Sequence, residues 1–466
     1  MNGTVAPFGE PLAKPHVQPV LPTELWLTIF DYVVTYDLHI FDQSLRYRRE
    51  RTRSLQNLQY VCKSWRDMIK PFVYRHIALD GNGDHLGSHG YYSLMVDHVE
   101  TLAHILDQTT NPGVPKASLV RSFWIQRDGR EEGTDSSLTV LQEALPALLS
   151  RMTNLSELCC RFDLHGPQVA CVARSHGSQL TRLAIECGSP YSTRISSPQV
   201  LSLLKRFTAL TDLHLGIHGQ TGELDSIDAP DLPKLRFFEL VADATSDVLM
   251  NWLAQWKMPR LSTFACRKSV GCSKHMCEET IGLSAFMTRH GAGLRTLRID
   301  DSCEDLQLVI FPHTPCLDVL DVFGAMHLLS NLPISVTQIA VREFGDNLGY
   351  QARELRFLLQ TVQLLPPEKK LHTIRVVSDM VSHDKHLHEP AAFVWREKLR
   401  QADTRRVVTW REFNNHAKGL LELGVLVLDE QNVALTDVLE EMRPSQESVR
   451  TELLESTTDL LPISDK

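Results

Sequence analysis

The chain has 466 residues, 43% hydrophobic and 23% charged, which are ordinary proportions for a globular protein. Its formal net charge of −9 gives the whole chain no footprint for nucleic acid, and no run of about 18 apolar residues is present to span a membrane. The opening segment Met1–Glu10 lacks a basic start and an apolar stretch, so a secretory signal is not expected. The ten cysteines are then expected as free thiols in the cytoplasm and/or nucleus.

Residues 1–20 carry Pro7, Pro11, Pro15 and Pro19, a spacing that forbids a helix and predicts a disordered tail. Residues 21–34 read as a helix. Pro22 suits the first helical position, Glu24 complements the dipole, and Leu25, Trp26, Ile29, Phe30 and Val33 form a broad apolar face. The basic run Arg46–Arg53 reads either as a solvated loop or as a nuclear-import or phosphate contact. Residues 54–70 return to helical spacing through Leu55, Leu58, Cys62, Trp65 and Ile69, as one helix or two, and Pro71 is expected to end the run. Tyr74–Leu79 reads as extended.

Beyond residue 80 the pattern L-x-x-L-x-L recurs. Copies begin at Val120, Leu155, Leu180, Leu210, Leu235, Leu261, Leu294, Leu317 and Leu371, with a weaker one at Val336. Leu420, Leu423 and Val425 read as a last degenerate copy or a cap. The middle of the range of intervals between copies suits a repeat of roughly 20–29 residues. Between copies the spacing is helical: Met95, Val99, Leu102 and Leu106; Ser197-Pro198 ahead of Val200, Leu201, Leu204 and Phe207; and Val248, Leu249, Trp252, Leu253 and Trp256. One short strand alternating with one helix predicts a curved α/β array in which each unit buries its apolar residues against its neighbours. Residues 386–466 lose the repeat and are expected to form a C-terminal cap and an acidic tail.

Residues 21–79 resemble the F-box. The matching residues run Leu21-Pro22-Thr23-Glu24-Leu25-Trp26-Leu27-Thr28-Ile29-Phe30 and then Leu55-Gln56-Asn57-Leu58-Gln59-Tyr60-Val61-Cys62-Lys63-Ser64-Trp65-Arg66. Residues 80–385 are similar to the leucine-rich-repeat arrays that follow an F-box, especially in fungal families. The fold class implied is α/β: a three-helix F-box, then an irregular leucine-rich-repeat-like solenoid. The resemblance implies docking onto a Skp-type adaptor, which joins cullin and RING subunits in an SCF ubiquitin ligase. Carried onto this chain, Leu21, Pro22, Leu25, Ile29, Phe30, Val61, Cys62 and Trp65 make or shape the adaptor contact, with Lys63 nearer the rim. Residues 37–53 lengthen the usual connection between the helices.

A second departure, in the repeats, marks them as irregular. The asparagine expected eight residues after the first leucine is replaced by Asp128, Asp163, Gly188, His218, Asp243, Ser269, Ser302, Ala325 and Asp379. An ionised aspartate accepts hydrogen bonds but donates none, so a regular asparagine ladder is not expected.

A residue between two inward leucines of a strand points outward. That position holds Trp124, Cys159, Ala184, His214, Glu239, Ala265, Arg298, Asp321 and Arg375. Trp124, His214, Glu239, Arg298, Asp321 and Arg375 are accordingly the candidate contacts for a protein substrate on the concave face. No catalytic motif is present: there is no G-x-x-x-x-G-K-[ST], G-x-S-x-G or H-E-x-x-H. Gly81–Gly87 reads as a flexible turn. Cys266, Cys272 and Cys277, and His383, His386 and His388, are weak metal-ligand candidates, since no C-x-x-C pair supports them. Neither cofactor nor metal is expected, and the chain reads as a non-catalytic receptor for a protein substrate. The other reading is a repeat scaffold tethered through its F-box.

Overall fold

The computed structural model describes residues 21–35, 57–80, 88–109, 113–126, 135–163, 166–187, 198–217, 224, 227–242, 247–268, 280–299, 310–323, 332–342, 348–369, 371–377, 394–401 and 407–441. The basic run, the insertion at 37–53, the Gly81–Gly87 turn, the histidine cluster, Cys272, Cys277 and the asparagine-equivalent positions other than Asp163 all lie outside these residues. The chain divides into two compact units, Met1–His76 and Ile77–Lys466.

In the first unit, one helix spans Thr23–Thr35 and a second spans Lys63–Val73. A single helical turn at residues 57–58 precedes the second, so the 54–70 periodicity belongs to two pieces. Pro22 opens the first helix by accepting the N–H groups of Leu25 and Trp26 on its carbonyl. Pro71 does not stop the second helix. It sits in the last turn, where its missing N–H costs one bond, and the helix runs on to Val73. Trp26, Phe30, Trp65 and Phe72 form an aromatic cluster with ring centroids 4.6–6.3 Å apart, set on the fully buried Ile69.

The second unit is mixed α/β. Twelve strands among the described residues form one sheet in strict chain order: β1 (His76–Asp80), β2 (Ser122–Gln126), β3 (Glu157–Asp163), β4 (Arg182–Cys187), β5 (Asp212–Ile217), β6 (Phe237–Ala242), β7 (Thr263–Lys268), β8 (Thr296–Ile299), β9 (Val319–Phe323), β10 (Gln338–Arg342), β11 (Thr373–Val376) and β12 (Leu426–Leu428). From β2 to β12 every pairing is parallel. Helices such as Ser88–Asp107, Gly166–His176, Asp247–Ala254 and Leu348–Leu364 connect the strands, and among the described residues no helix is long and apolar enough to cross a membrane.

The register follows the repeat residue by residue. Phe123, Leu158, Leu183, Leu213, Phe238, Phe264, Leu297, Leu320, Ile339 and Ile374 stand side by side across ten strands. All ten are buried in one continuous core, together with the leading residues of each copy, Val120 to Leu371. The Val336 copy, weaker in sequence, is a full strand in this row. One frame differs from the expected one. The last copy is Gly424-Val427-Asp429, because Val427 pairs with Ile374, and Leu423 is exposed. Gly424, at φ +78°, ends the helix Val407–Glu422, and the Val425 N–H returns to the Leu420 carbonyl. Asp429 is buried and accepts the backbone N–H groups of Trp395, Gln431 and Val433 at 3.2, 2.9 and 2.8 Å, closing the end of the sheet.

A hydroxyl ladder lies where each strand begins. The residue after each leading apolar position offers its carbonyl to two N–H groups of the next copy: Ser156 to Thr181 and Arg182, Thr181 to Thr211 and Asp212, Thr211 to Arg236 and Phe237. The hydroxyls of Ser156, Thr181, Thr211 and Ser262 donate to the preceding carbonyl at 3.0–3.2 Å. These short side chains tie neighbouring strands together at a position different from the one an asparagine ladder uses.

Candidate functional site

Two surfaces stand out, one in each unit. In the first, the helix Thr23–Thr35 turns Trp26 and Phe30 inward. Its flank then leaves Leu21 at 38%, Leu25 at 49% and Ile29 at 41% exposure, with Pro22 exposed beside them. The turn before the second helix adds Val61 at 59% and Tyr60 at 81%. So many exposed apolar groups on so small a unit mark a surface that excludes water only when something covers it. Cys62 is exposed and has a local task. Its backbone is extended, and its Sγ accepts the Trp65 N–H at 3.4 Å, capping the helix Lys63–Val73. That cap turns the half-buried Trp65 toward Trp26 and Phe30. Of the eight candidate docking residues, Leu21, Pro22, Leu25, Ile29 and Val61 are open to a partner. Phe30, at 1% exposure, lies in the aromatic cluster and supports the surface from beneath. Tyr60 was not among the candidates, although its place beside Val61 is a usable signal.

On the sheet, the nine alternate residues lie in one register row on the face opposite the core: Trp124, Cys159, Ala184, His214, Glu239, Ala265, Arg298, Asp321 and, past Ala340, Arg375. The structure thus brings the six candidate contacts onto one face. They are less open than a solvated strand face. Trp124 and His214 are both buried at 4%, and Glu239 at 2%, whereas Arg298, Asp321 and Arg375 are half-buried.

The charged groups on this face meet opposite charges or polar partners. The His214 Nδ1–H donates to Glu239 Oε2 at 2.8 Å, and the Arg267 guanidinium bonds Glu239 Oε1. Arg298 reaches Asp321 at 3.5 Å, and Arg375 donates to Asn432 at 2.7 Å. Along the next row, Arg182 bridges Glu157 and Asp212 at 3.3 and 3.4 Å. Burial drives the Glu239 pKa upward, but Arg267, His214 and Arg298 together outweigh it and hold the carboxyl well below the usual carboxylate range. Glu239 is therefore an ionised, fully buried anchor. Arg267 escaped the sequence reading, although it lies on the same face two residues past Ala265.

Residues 19–80 match the F-box-like family model. The chain carries an F-box-like domain. The matched span contains the helices Thr23–Thr35 and Lys63–Val73, the exposed apolar flank and the Cys62 cap. F-box-like domains are protein-interaction adaptors, common in SCF complexes, and typically bind Skp-type adaptors. No curated protein matches the chain.

Proposed function

We propose that the protein is the substrate-recognition subunit of an SCF-type ubiquitin ligase. Its F-box-like domain docks on a Skp-type adaptor, and through it on cullin and RING subunits. The second unit, read as a leucine-rich-repeat-type solenoid of the fungal F-box kind, holds a protein substrate on the face opposite its core. The observation that carries this reading is the exposed flank of Leu21, Leu25, Ile29 and Val61 within the matched span. On the substrate face Arg298, Asp321, Arg375 and Trp124 are the contacts, with His214 and Glu239 supporting them from beneath. The subunit performs no chemistry. It raises the effective concentration of the substrate near a charged conjugating enzyme, in the cytoplasm and/or nucleus.

The test is affinity purification of the whole chain against Leu21→Ala with Pro22→Ala and against a chain starting at residue 80. Adaptor and cullin recovered with the wild type alone, and ubiquitylation of a co-purified protein, support the reading. Adaptor capture undiminished in the double variant refutes the docking surface. Capture of the adaptor without cullin or ubiquitylation favours the second reading, a non-ligase scaffold tethered through its F-box.

A further inference from the structure

At the β2–β3 end of the face opposite the core, two paired residues each hold a buried oxygen that has no donor among the described residues. Ser122 and Glu157 are direct register partners, both turned away from the core. Ser122 is 1% exposed and its hydroxyl has no hydrogen-bond partner among the described residues. Glu157 gives Oε1 to Arg182 at 3.3 Å, while its buried Oε2 has no partner among them either. A direct cross-strand pair brings its side chains within about 5 Å at Cβ. Leaving two such oxygens unsatisfied is costly, and more so when one is charged.

The local charge points the same way. Arg182 is shared with Asp212, so Glu157, Arg182 and Asp212 together make two negative charges and one positive. Trp124 follows Ser122 by two residues on the same face of β2, and an indole face attracts a cation within about 6 Å. Glu157 and Arg182 retain 15% and 16% side-chain exposure, whereas Ser122 beside them is at 1%. Two acceptors, one excess negative charge and a neighbouring indole define a place for a group with several donors, a positive charge and a stem long enough to reach the buried Ser122.

We infer that Ser122, Glu157 and Trp124 form a subsite for a basic side chain, lysine or arginine, of the polypeptide held on this face. The ammonium or guanidinium donates to Glu157 Oε2 and Ser122 Oγ, and its alkyl stem lies against Trp124. This rests on the reading that a client occupies the face opposite the core, and it names one feature of that client.

The probes are butylammonium and methylguanidinium, with sodium chloride at matched ionic strength and neutral butanol as references. The readout is the thermal unfolding midpoint of the full chain. The wild type is expected to gain about 2 °C with either cation over both references. Glu157→Gln and Ser122→Ala should each lose at least half of that gain. If Glu157→Gln does not fold, Ser122→Ala carries the comparison. No gain in the wild type, an equal gain with butanol, or a full gain in the folded variants overturns the subsite. Adaptor capture measured on the same samples separates the two readings. The probes bind without adaptor or client, so failure of the subsite leaves the docking surface standing, and loss of adaptor capture leaves the probe response intact.

Discussion

Replacing Leu25, Ile29 and Val61 together by alanine separates docking from folding. Each side chain is roughly half exposed in the free chain, at 49%, 41% and 59%. Complete burial of such a side chain is worth about 1.5–3 kcal/mol, so covering the exposed half yields about 1 kcal/mol each. Truncating all three should weaken adaptor binding by about 3 kcal/mol, or about 100-fold in Kd. The same change should barely move the unfolding midpoint, because little of this surface is buried before docking. Phe30→Ala makes the contrast. Phe30 sits against Trp26, Trp65 and Phe72 at 1% exposure, and emptying that site costs about 3–5 kcal/mol of stability. Titration calorimetry against a purified Skp-type adaptor, beside circular dichroism melting, checks both. The reasoning is refuted if the triple variant binds like the wild type, or if it melts as early as Phe30→Ala.

Asp429→Ala leaves three backbone N–H groups unsatisfied at the closed end of the sheet and should cost about 3 kcal/mol, read as a lower denaturant midpoint and as faster amide exchange around Trp395 and Val433. Burial lowers the pKa of both His176 and His290; neighbouring Arg289 adds to the effect at His290, and backbone carbonyls partly oppose it at both. The unfolded state then binds more protons, so stability is full above about pH 6.5 and declines as the pH falls through that value. A melting midpoint flat from pH 8 to 7 that drops by pH 5, and drops less in His176→Gln with His290→Gln, is the expected pattern; an identical profile in the double variant contradicts it. Glu239→Gln strips the anion from Arg267 and Arg298 and should destabilise the second unit by about 3 kcal/mol while adaptor capture stays intact; a neutral effect on the chemical-denaturation midpoint contradicts the anchoring role.

Much of the sheet was legible because strand periodicity of two meets burial on one face only. A slip of one residue at Leu183 or Phe238 would send every leucine of that strand to the wrong side, so the repeat dictates the register. The last strand escaped for a physical reason. Gly424 replaces the leading leucine to end a helix, and Asp429 replaces the third to bind three amides, so the last copy keeps only Val427 of its apolar frame. Residues of the docking flank were legible as types, but their depths were not. Phe30 and Ile29 are adjacent apolar residues of one helix, and only the position of Trp65 decides which is covered. The matched charges were the least legible part. Glu239 meets His214, Arg267 and Arg298 across sequence separations of 25 to 59 residues, and pattern reading along one strand cannot pair residues on four. The hydroxyl ladder of Ser156, Thr181 and Thr211 was present in the sequence too, at a position where the search for asparagine did not look.

Hydrogen exchange of the full chain with and without a purified Skp-type adaptor most directly tests the central claim. Slowed exchange confined to peptides covering Leu21–Ile29 and Tyr60–Trp65, with the sheet unchanged, is the outcome predicted by docking through the exposed flank. Protection on the sheet alone, or no protection at saturating adaptor, would contradict it.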